Sequence, residues 1–103
     1  MIREFPRFFG GRPVATAVAG LEPRQRLVTT GVIRSRSIRQ WAGVAAQAYE
    51  FDDGTGTVVL AFTGKRERLG LAVGRRCTVE GTAMSDPHGP LLVLWNPGYE
   101  LLG

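Results

Sequence analysis

Two short segments of alternating character, joined by a turn that contains two glycines, constrain the fold more than any other feature of the chain. In residues 44–51 and 57–63, side chains of different size and polarity alternate with a period of two. That period is typical of β-strands. The sequence between them, DDGTG at 52–56, contains glycines that supply the positive φ of tight hairpin turns. The sequence therefore predicts an antiparallel hairpin.

A longer segment, which starts at Gln25, has the same period and an internal glycine. Leu27, Gly31 and Ile33 fall on one face, and β-branched residues dominate, so the sequence predicts a strand here. A glycine inside a strand is typical of a bulge, or of the sharp coiling that lets one strand serve both sides of a small barrel. We therefore expect a closed rather than a flat sheet.

Two further strands are predicted, at residues 75–84 and 91–96, which brings the total to five. A polar connector at 64–70, with a helical turn as one option, precedes the fourth strand, and a loop, SDPHGP at 85–90, precedes the fifth. Five short strands bury a core only by curling closed. The predicted fold is thus an all-β, five-stranded OB-fold Greek-key barrel, with a small SH3-like barrel as the alternative.

The 103 residues are enough for one domain. Glycine and proline interrupt residues 1–23, so we expect this segment to be an N-terminal arm laid across an OB-fold domain at 24–103. Within the arm, residues 14–21 form a short helix or an edge strand. The residues after Pro97 are expected to form a short C-terminal tail.

Three motifs resemble a known family. The Asp-Gly-Thr-Gly hairpin, the strand GRRCTVEG at 74–81 and the terminal NPGYEL at 96–101 look like small, stand-alone bacterial OB-fold nucleic-acid-binding proteins, notably those of actinobacteria. More distantly, residues 25–102 are similar to the anticodon-binding OB domain of class II aminoacyl-tRNA synthetases and to the wedge domain of branch-migration helicases. The resemblance implies binding of single-stranded DNA or RNA. One departure is Glu67, which interrupts a stretch that is usually rich in arginine in these relatives.

Catalytic chemistry finds little support in the sequence. Cys77 and His88 are the only cysteine and histidine, too few for a disulfide framework or a Cys/His metal cluster. Cys77 is expected to be a buried structural thiol, and no nucleophile stands at a telling spacing from His88. The turn at 52–56 lacks the lysine of a phosphate-binding loop, and its acids would repel phosphate. The sequence predicts no enzyme, no cofactor and no metal site.

No apolar run approaches the roughly 20 residues that span a bilayer. The first ten residues lack the apolar segment and cleavage site of a signal peptide. We therefore expect a cytoplasmic protein without a membrane partner.

The basic residues are almost all arginine: of 13, only Lys65 is lysine, and the net charge is +4. One explanation is the codon bias of a GC-rich genome, and another is selection for bidentate contacts to phosphates or stacking on bases. In an OB barrel, the loop between strands one and two and the loop between strands four and five flank the ligand groove. Here those loops are predicted at about 37–43, with Arg39 and Trp41, and at 85–90, just before Trp95.

A cation beside a stacking aromatic is what single-strand binding requires. The predicted nucleic-acid-binding residues are Arg34, Arg36, Arg39, Trp41, Lys65, Arg66, Arg68, His88 and Trp95. The alternative for both tryptophans is a packing role. The outer face of the hairpin is expected to be exposed and carries only small side chains: Ala48, Val59, Ala61 and Thr63. Because none of them is aromatic, the predicted affinity is modest.

A second hypothesis is a protein-interaction module that uses the groove or the arm. Phe5, Phe8 and Phe9 motivate it, because an arm that does not close its own barrel is able to pack on a protein partner or on another copy of the chain.

Overall fold

The computed structural model of the chain describes residues 7–9, 11–64 and 66–103. Within them every regular element is a strand, which confirms the all-β prediction. The strands are β1 (Phe8–Phe9), β2 (Arg12–Pro13), β3 (Arg26–Trp41), β4 (Val44–Asp52), β5 (Thr57–Thr63), β6 (Arg76–Met84), β7 (Val93–Trp95) and β8 (Gly98–Leu101). Accordingly, this part of the chain has no helix of the length and apolarity that a membrane crossing needs.

The main sheet has six strands and closes in a ring. Its order is β3-β4-β5-β7-β6-β8, and a further pairing between β3 and β6 completes the ring. All neighbours are antiparallel except β5 and β7, which are parallel. β1 and β2 form a separate small hairpin. Because closure pairs both edges of most strands, one face of the sheet encloses a core.

The long strand β3 turns the corner of this ring. Its first half, to Val32, pairs with β6, and its second half, from Val32, pairs with β4. A register shift lies between Ile33 and Ser35, where the strand changes partner. A Cβ on Gly31 would lie 2.3 Å from the carbonyl oxygen of Asp52, so only glycine allows β4 to approach this closely. The glycine was predicted to mark either a bulge or a strand that serves both sides of the barrel, and β3 shows a register shift as well as the change of partner.

The predicted hairpin is confirmed as β4 and β5, with Asp52 opposite Thr57. In its turn, Gly54 has a φ of 90°. The Asp53 carboxylate accepts hydrogen bonds from the backbone N–H groups of Val18 (2.8 Å), Thr55 (2.9 Å) and Gly56 (3.2 Å). It also accepts bonds from the hydroxyls of Thr55 (2.7 Å) and Thr29 (3.2 Å).

Asp53 therefore ties the turn to β3 and to the segment that precedes it. Burial alone would raise the pKa of Asp53, but its hydrogen bonds, first among them that of the Thr55 hydroxyl, hold the pKa below the ordinary value. The turn that combines two acids and two glycines is thus a structural junction.

Two of the expected boundaries were wrong. The C-terminal tail is strand β8, which pairs with β6, so the sheet has six strands rather than five. The predicted loop at 37–43 is mostly strand, because β3 continues to Trp41 and only Ala42 and Gly43 form the turn, both with positive φ (49° and 81°). The connector before β6 has bends and turns but no helix in its described residues.

Two apolar clusters lie on the two faces of the hairpin. The inner one contains Tyr49, Phe51 and Leu60, all 0% exposed, and fills the ring. The outer one contains Ala46, Ala48, Val59, Ala61 and Val93 beneath Trp41, with Leu91 and Trp95 packed against it. The expectation that this outer face is exposed was wrong for Ala48, Val59 and Ala61, which the chain itself covers.

The described part of the arm packs on the closed sheet. Ala15 forms an isolated bridge with Leu27, and Val18 and Leu21 pack on the inner cluster. Residues 14–21 are neither a helix nor a strand. Phe8 is 61% exposed. Phe5 and the side chain of Phe9 lie outside the described residues.

Candidate functional site

Two tryptophans from distant parts of the sequence meet on the outer face of the hairpin. Trp41 ends β3 and Trp95 ends β7, and their ring centroids are 4.9 Å apart at an interplanar angle of 72°. This edge-to-face arrangement is a favourable one for aromatic pairs. Trp41 is 8% exposed and Trp95 is partly exposed. Trp41 is therefore a packing residue, and Trp95 retains an accessible surface.

A buried carboxylate holds this region together. The Asp86 side chain, 2% exposed, accepts hydrogen bonds from Arg39 (2.9 Å) and from the indole N–H of Trp41 (3.2 Å). It also accepts one from the backbone N–H of His88 (2.9 Å). These bonds, first among them that of His88, hold the pKa of Asp86 below its ordinary value, against burial, which alone would raise it. Asp86 thereby fixes the β6–β7 loop against the end of β3.

Arg39 makes two contacts in this arrangement. Its guanidinium lies 4.3 Å from the centroid of the Trp41 ring and forms an ion pair with Asp86. The side chain nevertheless remains 32% exposed. Arg39 is therefore held in one orientation by a stacked ring and a carboxylate, with part of its charge still available to a ligand.

A cleft of about 300 Å³ opens beside this cluster. The side chains of Glu50 and His88 lie at it without a hydrogen-bond partner among the described residues. The lining residues are Arg39, Glu50, Val59, Asp86, His88, Gly89, Pro90 and Leu91. Basic, acidic and apolar groups thus meet at one concave surface.

The remaining predicted arginines lie elsewhere. Directly opposed residues of paired strands share a face. Arg36 opposes Tyr49 of the inner cluster, whereas Arg39 opposes Ala46 of the outer cluster, so the two arginines lie on opposite faces of the β3–β4 pair. Arg36 forms an ion pair with Glu67.

Arg34 and Arg68 are also engaged within the chain. Arg34 lies 3.8 Å from the Asp52 carboxylate. Arg68 donates hydrogen bonds to the carbonyls of Thr63 (3.0 Å) and Arg66 (3.2 Å), and it stacks 5.0 Å from the Phe62 ring. Arg66 is exposed, and Lys65 lies outside the described residues.

The structure therefore brings together four of the predicted site residues: Arg39, Trp41, His88 and Trp95. None of the other described arginines of the prediction lines the cleft: Arg34, Arg36, Arg66 and Arg68.

The sequence interpretation missed Asp86 and Glu50. Asp86 lies in the loop that was predicted to flank the groove, and an acid there could have been matched to Arg39 across it. Glu50 lies on the hairpin face opposite Tyr49 and Phe51, so its period-two position was a signal for this surface. Neither residue belongs to a sequence motif that is associated with binding or catalysis.

The described residues provide neither an accessible thiol nor a cluster of metal ligands. Cys77 is 0% exposed, as expected for a structural thiol, and burial raises its pKa to about 11. It is therefore a neutral thiol near pH 7. No group of three or more His, Cys, Asp or Glu residues within the described ranges is placed to hold a metal ion.

A scan against protein-family models and a search of curated proteins both returned no match to this chain.

Proposed function

We propose that the closed sheet is an OB-type barrel and that the protein binds single-stranded nucleic acid. The strand order supports the fold: β3, β4, β5, β7 and β6 form a ring in which β5 and β7 pair in parallel. This is the connectivity of a five-stranded Greek-key barrel, with β8 as an addition to the edge of β6.

The observation that carries the functional proposal is the convergence of Arg39, His88 and the Trp41–Trp95 pair beside one cleft. Arg39 and Trp41 come from the end of β3, His88 from the loop that joins β6 to β7, and Trp95 from the end of β7. OB barrels bind oligonucleotides on the face of strands two and three, between the two corresponding loops. A cation next to an accessible aromatic provides a contact for a phosphate and a surface for a base.

The proposed roles differ between the two tryptophans. Trp95, partly exposed, stacks on a base. Trp41 is nearly buried and acts indirectly, because it supports Trp95 and orients Arg39. Arg39 and His88 face the phosphates. The acids at the cleft oppose the attraction of phosphate, so we expect a modest affinity.

Exposed arginines outside the cleft supply long-range attraction. Arg66, Arg75 and Arg76 are exposed and form no ion pair with another described residue. Arg76 opposes Val32 at the point where β3 changes partner. Val32 lies two residues before Arg34 in the chain. Such charges accelerate the encounter with a polyanion and make binding sensitive to salt.

The test is a titration with mixed-sequence single-stranded oligonucleotides of about ten nucleotides, followed by tryptophan fluorescence at about 50 and about 200 mM salt. DNA and RNA of the same sequence are compared. We expect quenching, and an affinity that falls steeply as salt rises. Absence of any response at low salt with millimolar oligonucleotide would contradict the proposal.

Arg39→Ala connects the titration to the cleft. Each phosphate contact contributes about 0.7 to the slope of log affinity against log salt for single strands, so this variant should lose a slope of about 0.7. Arg12→Ala is the matched control, because Arg12 pairs with Glu22 in the arm and the substitution changes the net charge equally. Equal slopes for the two variants would argue against contact at the cleft.

The second candidate, a module for protein assembly, rests on the exposed Phe8 in the β1–β2 hairpin. If the arm joins copies of the chain, light scattering should give fewer chains per particle for a protein without residues 1–12 than for the full-length protein. An unchanged mass and unchanged stability would count against it.

A further inference from the structure

The cleft is chemically asymmetric. Arg39 and His88 make its surface basic, whereas Glu50, on β4, contributes a carboxylate. Glu50 is exposed and has no hydrogen bond or ion pair with a described residue, unlike Asp86, which is saturated by donors. A carboxylate without a partner at a surface for a polyanion requires an explanation, because it repels phosphate.

Hydrogen-bond chemistry supplies one. An ionised carboxylate has two oxygens that only accept hydrogen bonds. Among the bases, guanine alone presents two adjacent N–H donors on its Watson–Crick edge, the ring N1–H and the exocyclic amine. Adenine and cytosine place an acceptor nitrogen beside their amine, and thymine and uracil flank a single N–H with two carbonyls. Bases in single strands expose this edge for recognition. Guanine is therefore the best complement to Glu50.

The size and walls of the cleft fit one such base. Its volume of about 300 Å³ lies at the lower end of ligand pockets. Val59, Pro90 and Leu91 provide apolar surface at the cleft for the face of a base. Arg39 and His88 provide donors for an adjoining phosphate. A carboxylate for the base edge and N–H donors for the phosphate together match a nucleotide, whereas a phosphate alone would have no use for Glu50.

We propose that the cleft is a guanine-selective subsite, in which Glu50 accepts hydrogen bonds from guanine N1–H and N2–H while Arg39 and His88 contact the neighbouring phosphate. This inference rests on the function proposed above and specifies which base that site selects. Glu50 is then a specificity-determining residue, and it is one that lowers general affinity for nucleic acid while favouring one base.

The experiment uses oligothymidine of about ten nucleotides with one central position occupied by guanine, inosine, adenine or thymine. Inosine keeps N1–H and lacks the exocyclic amine, so it separates the two hydrogen bonds. We expect the full-length protein to bind the guanine oligonucleotide about tenfold more tightly than the adenine one, with inosine intermediate. Fluorescence anisotropy of labelled oligonucleotides measures all four affinities at one salt concentration.

Glu50→Gln tests the role of the carboxylate. An amide offers one acceptor and one donor, so the preference for guanine should disappear, while affinity for oligothymidine stays equal or rises because a negative charge is lost. Glu100→Gln is the control, since Glu100 lies on β8, does not line the cleft, and carries the same charge. It should keep the preference. Thermal unfolding of both variants establishes that they fold.

The outcomes separate the two proposals. Equal, salt-dependent affinities for all four oligonucleotides would overturn the guanine subsite and leave nucleic-acid binding standing. A guanine preference that survives Glu50→Gln would also overturn it. No binding to any oligonucleotide at low salt would overturn both.

Discussion

Two aspartates, Asp53 and Asp86, each lie in a loop and accept several hydrogen bonds, yet their donors and their structural roles differ. Asp53 receives its bonds from backbone N–H groups and hydroxyls, which are neutral donors, and it joins the β4–β5 turn to β3 and to the arm. Asp86 receives bonds from the side chains of Arg39, which lines the cleft, and of Trp41, which packs behind it. The donors, rather than the carboxylate, distinguish a structural junction from a candidate binding site.

The comparison bears on the sequence predictions for both loops. The DDGTG turn was predicted to be a hairpin corner and not a phosphate-binding loop, and its contacts are internal to the fold. The loop at 85–90 was predicted to flank the ligand groove, and it supplies the predicted His88 and the unpredicted Asp86 to the cleft. A residue's partners across the fold therefore say more about its role than its neighbours in sequence.

The largest expected effect is on stability, from Asp53→Ala. The substitution removes the acceptor of several hydrogen bonds, donated by Val18, Thr29, Thr55 and Gly56. Each bond contributes about 0.5–1.5 kcal/mol, so the free energy of unfolding should fall by about 3 kcal/mol. Urea denaturation measures it. Asp52→Ala is the control within the same turn, because Asp52 accepts one backbone bond, from Gly54, and should cost about 1 kcal/mol. Equal losses would remove the distinction between the two acids.

A smaller effect, and one on binding as well as stability, is expected from Asp86→Asn. The amide oxygen still accepts hydrogen bonds, so the unfolding free energy should fall by only about 1 kcal/mol. Since Arg39 loses its ion-pair partner, more of its charge becomes available to phosphate. Affinity for the oligonucleotide at about 50 mM salt should therefore rise, and it should not rise when Arg39→Ala is combined with Asp86→Asn. A rise of the same size in the double variant would argue against a phosphate contact by Arg39.

The smallest effect near neutrality is that of pH. Both aspartates have pKa values lowered from the ordinary 3.8, so each favours the folded state above that pH and loses this contribution as pH falls through its folded pKa. The free energy of unfolding should therefore be insensitive to these groups between about pH 8 and 5 and decline below about pH 4. Asp53→Asn should show a shallower decline in denaturation at pH 5, 4 and 3. A decline as steep as in the unchanged protein would assign the acid sensitivity to other carboxyls.

Much of the fold follows from local pattern. The period of two identified the hairpin and the strands at β3 and β6, and Cys77 was correctly expected to be buried. Gly31 indicated the coil in β3, because a side chain at that position would collide with the backbone of β4. These features depend on alternation and on backbone sterics, which short stretches of sequence carry.

The site was predicted only in part, for a physical reason. Alternation assigns side chains to two faces of a strand and says nothing about what covers each face. The hairpin's outer face is covered by Trp41, Trp95 and Leu91, which approach it from the end of β3 and from the segment around β7. Alternation also does not predict which acid pairs with each arginine. Arg36 and Arg39 lie in the same strand, but on opposite faces and with different acidic partners.

The sequence by itself determined the β4–β5 hairpin with its glycine turn, and the alternation of strands β3 and β6, because each depends on a few adjacent residues. Only the tertiary structure decided that the C-terminal residues add strand β8, and that Asp86 joins Arg39 and Trp41 beside Glu50, which pairs with no described residue. The contacts of Asp86 with Arg39 and Trp41 link residues more than 40 positions apart, and closure of the ring is what brings them within hydrogen-bond distance.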